Sequence, residues 1–167
     1  VVIAGAVGGT ASDTVRAALE DFGDIEVGRV AMHPGSVQGF GQLGRDEVPT
    51  FLLPSNPVSA LVVFEVMVRP LVRIALGRRQ PMRRIVTART VGPITSIAGR
   101  RAYLRGQLMR DEGTGEYLVQ ALGGAPGSSS HLLATLAEAN CLVMVDADVT
   151  EVRTGEEVEV AFLAQRG

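Results

Sequence analysis

At 167 residues, with 46% hydrophobic and 20% charged side chains, the chain is globular rather than disordered and long enough for one domain or two small ones. A single cysteine, Cys141, excludes an internal disulfide, and no basic region precedes an apolar leader, so the expected location is cytoplasmic. The net charge is −2, but every basic residue is an arginine, and eleven of the 16 lie between Arg69 and Arg110 in a window free of acids. Such a window suits an anionic ligand, nucleic acid or an acidic partner. With aromatics at 4% and no nucleic-acid motif, a solvated basic surface is favoured and no nucleic-acid partner is expected.

In chain order, "VVIAGAVGG" reads as a buried strand running into a glycine loop. Because it opens inside such a strand and without methionine, the chain is expected to be part of a longer one. "SDTVRAALEDFG" follows as a helix, with Ser12 as candidate N-cap, Asp13 in the first turn and Gly23 as the stop. "IEVGRVAMHPG" predicts a second strand ending at His33-Pro34-Gly35. "VQGFGQLGRDEVPTFLLP" predicts a hairpin-like pair turning at Gly44-Arg45-Asp46-Glu47. Alternating strand, glycine loop and helix argue for an α/β layer structure, although these elements are too few to cover a parallel sheet on both faces.

"PSNPVSALVVFEVMVRPLVRIALGRR" begins the next helix. Asn56 can cap it and Pro57 suits its first position, where the missing N–H costs nothing. Only Ser59 and Glu65 are polar from Val58 to Val68, so burial nearly all round is expected. Glu65, Arg69, Pro70 and Arg73 interrupt the apolar run too early for a membrane span, and Pro70 should kink or restart the helix. A buried helix N-terminus with free N–H groups would also suit an anion.

Beyond "GRRQPMRR" the pattern turns strand-rich: "RIVTARTV", "RAYLRGQLM", "EYLVQAL", "CLVMVD" and "EEVEVAFL", with turns at "RDEGTGE" and "RTGEE". Only "SSHLLATLAEAN" reads as a helix. The expected division is therefore residues 1–79 as an α/β domain and 83–167 as a small β-barrel or sandwich. There is no CxxC, HExxH, GxSxG or P-loop, which removes sequence support for zinc, covalent or NTP-motor chemistry.

"LPSNPVSALVVFEVMVRP" closely resembles the "LPGNPVSA" signature of the molybdopterin molybdenumtransferases, last-step enzymes of molybdenum cofactor synthesis. "VAMHPGSVQGFG" resembles that family's "KPGKP…FG" loop, and "GRRAYLRGQL" with "GSSSHLLATLAEANCLVMV" resembles its C-terminal domain. The resemblance implies part of a three-layer molybdopterin-binding α/β domain followed by a small β-barrel-like domain, within an elongated homodimer that uses neither membrane nor nucleic acid. It implies adenylylated molybdopterin and molybdate as substrates, insertion of molybdenum at the dithiolene, and AMP release with Mg²⁺.

Residue by residue, the resemblance places Pro54, Ser55, Asn56, Pro57 and Ser59 against the pterin and its phosphate. Asn56-Pro57 is equally a good helix start. Asp13 would stand beside substrate or metal as the catalytic carboxylate, or simply favour the helix dipole. Gly8 and Gly9 would let backbone approach the ligand. His33, Pro34, Gly35 and Ser36 fill the "KPGK" loop, but His33 and Ser36 stand where lysines often occur, and Ser55 replaces a glycine. A lysine would hold an anion as a point charge, whereas neutral His33 donates one hydrogen bond. Arg101, Arg105 and His131 would face a partner's pocket or solvent, and Cys141 the core. Two readings stay open: a molybdenum insertase, or a molybdopterin-binding or scaffolding paralogue without insertion chemistry.

Overall fold

The computed structural model describes residues 1–10, 12–122 and 135–163. Chain order runs β1 (Val2–Val7), α1 (Ser12–Leu19), β2 (Ile25–Arg29), β3 (Met32–His33), β4 (Val37–Leu43) and β5 (Val48–Pro54). A long helix follows as α2 (Pro57–Val63), a π-helical turn (Phe64–Val68) and α3 (Arg69–Ala75). Then come β6 (Ile85–Thr90), β7 (Ile94–Thr95), β8 (Arg101–Arg110), β9 (Tyr117–Ala121), β10 (Cys141–Val145), β11 (Glu151–Val152) and β12 (Glu157–Phe162). Two compact units result: Val1–Val30 with Gly35–Met82, and Ala31–Pro34 with the chain from Arg83 onward.

The first unit is built on a four-stranded sheet in the order β1-β5-β4-β2. β1 and β5 are parallel, with Val2 opposite Phe51 and Val7 opposite Pro54; the other pairs are antiparallel. The sheet is therefore mixed, with the expected hairpin-like pair as β4 and β5. The hairpin turn falls where the polar run Gly44–Glu47 placed it, with Leu43 opposite Val48 and positive φ at Gly44 and Glu47. On one face, Val15 and Leu19 of α1 rest on Ala6, Val7 and Leu52, beside Ile25 and Val27. Phe51, which alternation along β5 turns to the other face, lines a groove with Phe40, Met67 and Leu71. One helix on each face of a sheet makes the α/β layering expected.

Several local expectations change. The first strand is buried only at its carboxyl end: Ala6 and Val7 are inside, whereas Val1 and Val2 are exposed. Ser12 lies within α1 instead of capping it, and its hydroxyl donates to the Gly9 carbonyl at 2.6 Å. α1 stops at Leu19, short of Gly23. Gly23 is needed for packing instead, because a β-carbon there would meet the Gln42 carbonyl oxygen at 2.2 Å. The long helix is buried on one side only: Val58, Val62, Val63 and Val68 are inside while Phe64, Leu71 and Val72 are exposed.

Its π turn has a local cause. Pro70 lacks an N–H and its ring crowds the carbonyl four residues back, so the ladder before it cannot stay regular. The Arg69 N–H donates instead to Phe64, five residues earlier, and α3 restarts with Pro70 in its first turn. Glu65 and Arg69 pair across this turn at 3.8 Å, with both side chains largely buried.

In the second unit the strands β8-β9-β6-β12-β10 close into a five-stranded barrel, because β10 pairs with both β12 and β8. Only the β6–β9 contact within that ring is parallel. Closure leaves the ring without a free edge. Inward alternation supplies Ala88, Ala102, Leu108, Val119, Val143, Val158 and Val160 to the core. Gly106 has no room for a side chain: its β-carbon would lie 2.9 Å from both Cys141 Sγ and Val143. Cys141 is fully buried as expected, and burial pushes its thiol pKa up to about 12.

Arg101 pairs with Asp146 and Glu159 on the barrel surface. Arg105 departs from the expected solvated strand: it is 9% exposed, donates to the Thr135 hydroxyl, and burial lowers its pKa. The expected C-terminal helix is seen at residues 135–138; His131 lies outside the described residues.

Candidate functional site

The first unit gathers its chemistry at one end of its sheet. β1 and β5 are parallel neighbours, so the loops that follow both leave at their carboxyl ends, where α/β sheets bind ligands. The Ser55 N–H donates to the Val7 carbonyl at 3.1 Å, tying the two loops together. Gly9 then packs so closely that a β-carbon on it would sit 2.7 Å from Ser55 Oγ. Gly8, with φ +71, takes a conformation that favours glycine. The Ser12 N–H turns back to the Gly9 carbonyl at 3.1 Å and begins α1, whose first turn carries the exposed Asp13. Asp13 thus lies at the same sheet end as Pro54–Ser59.

Asn56 caps α2. Its side-chain oxygen accepts from the Val58 and Ser59 N–H groups at 3.0 and 3.1 Å, and its carbonyl accepts from Ala60 at 2.9 Å. The anticipated row of free N–H groups is therefore absent from this helix start, because the cap itself occupies it. Ser59 Oγ also turns toward the same oxygen at 3.4 Å.

The "HPGS" segment divides. Gly35 and Ser36 belong to the first unit: the Ser36 carbonyl accepts from Val30 at 2.7 Å, and the Gly35 carbonyl from Gln38 Nε2 at 3.0 Å. They lead into β4, which runs antiparallel to β5, so they enter at the carboxyl end of β5. His33 and Pro34 belong to the second unit, joined by a cis peptide bond, with His33 paired to Ala102 in the parallel β3–β8 ladder. This corrects the single strand expected from Ile25 to Gly35: β2 ends at Arg29 and Met32–His33 pairs with another sheet. Burial, then the neighbouring Arg100 charge, lower the His33 pKa.

One residue at this end of the sheet carries no sequence motif. Arg29 closes β2 opposite Val37, at the same end as Ser36. Its signal was positional: an arginine as the last residue of a strand parallel to β5. Assembled, the end carries a glycine loop, the Ser55 and Ser59 hydroxyls, one carboxylate and one guanidinium. That set can hold an oxyanion; among the described residues no group of three His, Cys, Asp or Glu side chains forms an all-protein metal cage.

Residues 1–74 match the family described as "Probable molybdopterin binding domain", and residues 87–163 match "MoeA C-terminal region (domain IV)". Over all 167 residues the chain is 75% identical to Molybdopterin molybdenumtransferase 1 of Mycobacterium tuberculosis, covering 39% of that protein. It is 31% identical over 96% of its length to the Molybdopterin molybdenumtransferase of Haemophilus influenzae, covering 38% of it. A crystal structure of the molybdopterin biosynthesis MoeA protein from Pyrococcus horikosii aligns with a TM-score of 0.74, covering 98% of this chain and 37% of that one at 28% identity. The chain thus spans about two fifths of the length of these relatives. Similar from end to end, and matched by both family regions in turn, it belongs to the molybdopterin molybdenumtransferase family of molybdenum cofactor biosynthesis.

Proposed function

We propose that the protein carrying this chain inserts molybdate into adenylylated molybdopterin and releases AMP. The observation that carries this reading is the 75% identity over all 167 residues to a protein named molybdopterin molybdenumtransferase. Residues 1–79 would act as part of the molybdopterin-binding domain and 83–167 as the C-terminal β-domain, in a cytoplasmic homodimer. Pro54–Pro57, Ser59, Gly8, Gly9, Gly35 and Ser36 would bind substrate, together with His33 and Pro34. The exposed Asp13 carboxylate suits Mg²⁺, which is commonly held by one or two carboxylates plus substrate phosphates. Bound there, Mg²⁺ would neutralise phosphoryl charge as AMP leaves.

AMP release on mixing the protein with adenylylated molybdopterin, Mg²⁺ and molybdate tests the proposal. A protein with this chain at the full length of its relatives should release AMP, and Asp13→Asn should slow it at least about tenfold, the effect of losing one transition-state contact. The 167 residues alone should show no insertion, which needs substrate, molybdate and metal positioned together. A second reading rests on His33 and Ser36, which supply no fixed positive charge: a paralogue that binds molybdopterin without inserting metal. Tight adenylate binding without AMP release would select it.

A further inference from the structure

We infer that the seam between β6 and β9 of the barrel takes a short extended peptide, which adds a strand to β6 and brings a basic side chain to Glu116 and Glu157. β6 and β9 close the ring through two register pairs alone, Arg89 with Leu118 and Thr90 with Val119. β12, on the other side, follows β6 from Ile85 to Arg89. Alternation along β6 decides which backbone groups are left over. The Thr90 N–H donates to the Glu156 carbonyl and the Phe162 N–H to the Arg84 carbonyl, so even-numbered residues turn their backbone groups toward β12. Ile85 and Thr87 turn theirs toward β9, ahead of the two pairs that close the ring. Continued register would set Tyr117 opposite Ala88, with its N–H on the Thr87 carbonyl. That pair is not formed, and a hollow lined by Thr87, Arg89, Glu116, Tyr117 and Glu157 opens there.

An unpaired strand edge recognises one chemistry, another extended backbone at the spacing of its own N–H and C=O groups. β12 already holds Ile85–Ala88 extended, so binding costs little ordering on this side. Free edges are usually blunted by charge, proline or a bulge, and Ile85-Val86-Thr87-Ala88 has no charge and no proline.

The side chains set what the peptide carries. Val86 and Ala88 belong to the core, which leaves Ile85, Thr87 and Arg89 on the outer face. Ile85 is 48% exposed and suits an apolar neighbour. At the other end Arg89 meets Glu157 at 3.0 Å and Glu116 at 3.7 Å. One guanidinium against two carboxylates leaves net negative charge, which a lysine or arginine of the peptide complements.

The test uses two labelled peptides of alternating valine and threonine, one with arginine at its amino end and one at its carboxyl end. Fluorescence anisotropy should show binding of at least one, and the better of the two gives the strand direction. Thr87→Pro should weaken it at least tenfold, because proline removes the N–H facing the seam while Val86 and Ala88 keep the β12 ladder. Glu116→Gln combined with Glu157→Gln should weaken it severalfold and flatten its salt dependence. In the free protein the Ile85 and Thr87 amides should exchange with deuterium faster than those of Val86 and Ala88, and bound peptide should slow them. If Thr87→Pro lowers the thermal midpoint, this exchange pattern in wild type decides the question. Binding of neither peptide, equal binding by a folded Thr87→Pro, or slow exchange at Ile85 and Thr87 without peptide would each overturn the inference.

Discussion

Gly9 and Ser55 touch: a β-carbon on the glycine would lie 2.7 Å from the serine hydroxyl oxygen and 3.0 Å from its β-carbon. Two loops that leave adjacent parallel strands are thereby closed on each other at the candidate site. Gly9 has no positive φ that would strain an added side chain, so Gly9→Ala suffers from crowding alone. Overpacking of this kind costs about 1–3 kcal/mol, and the low end applies because Ser55 is exposed and can give. Gly9→Ala should lower the urea midpoint, and Ser55→Gly should restore it in the double variant. Additive effects would show that the contact does not couple the loops.

Asn56 gives a sharper separation of stability from binding. Asn56→Ala removes the acceptor for two backbone N–H groups and should cost about 1 kcal/mol, measured as a lower unfolding midpoint. Asn56→Asp keeps that acceptor and should be near wild type in stability. Its added negative charge should nevertheless weaken binding of any anion at the same loop end. If Asn56→Asp loses as much stability as Asn56→Ala, the cap is not what holds α2.

Asn140 does comparable work for the barrel. Its side chain accepts from the Leu108 N–H at 2.7 Å and donates to the Leu108 carbonyl at 3.0 Å, imitating a ladder pair before β10 begins. Leaving those two partly buried groups unpaired in Asn140→Ala should cost about 2 kcal/mol, since an unsatisfied group costs roughly 1–3. Asn140→Asp keeps the acceptor but loses the donor, so it should fall between the two. Chemical denaturation of the three proteins checks the order.

Much of this architecture was legible because local chemistry and fold agreed. Asn56-Pro57 could only start a helix well, Gly44–Glu47 could only turn, and the alternating run at Glu157–Phe162 could only line a half-buried strand. What escaped was set by tertiary placement. "IEVGRVAMHPG" is apolar enough to read as one strand, yet Met32–His33 finds its hydrogen bonds on β8. The long helix is apolar all round, but only the side carrying Val58, Val62 and Val68 meets neighbouring elements deeply enough to be buried. Arg105 looks like a surface residue in sequence and is covered in the fold. Arg29 carries no motif; only the strand order and register bring it to the same end of the sheet as Ser36.

His33 supplies a pH signature. Burial and then Arg100 lower its pKa from 6.5, so the folded chain resists a proton that the unfolded chain accepts. For a group whose folded pKa lies below its unfolded one, folding is favoured above both values. Stability then falls as pH drops below about 6.5, and the loss levels off once pH passes under the folded value. His33→Gln cannot charge, so its stability should change less between pH 7.5 and 5.5 than that of wild type. Urea midpoints at those pH values and at 6.5 provide the comparison. The carboxylates are common to both proteins, so the difference between the two curves belongs to His33. Identical curves would mean that His33 is as easily protonated in the folded chain as in the unfolded one, and that the positive charge of Arg100 is screened from it.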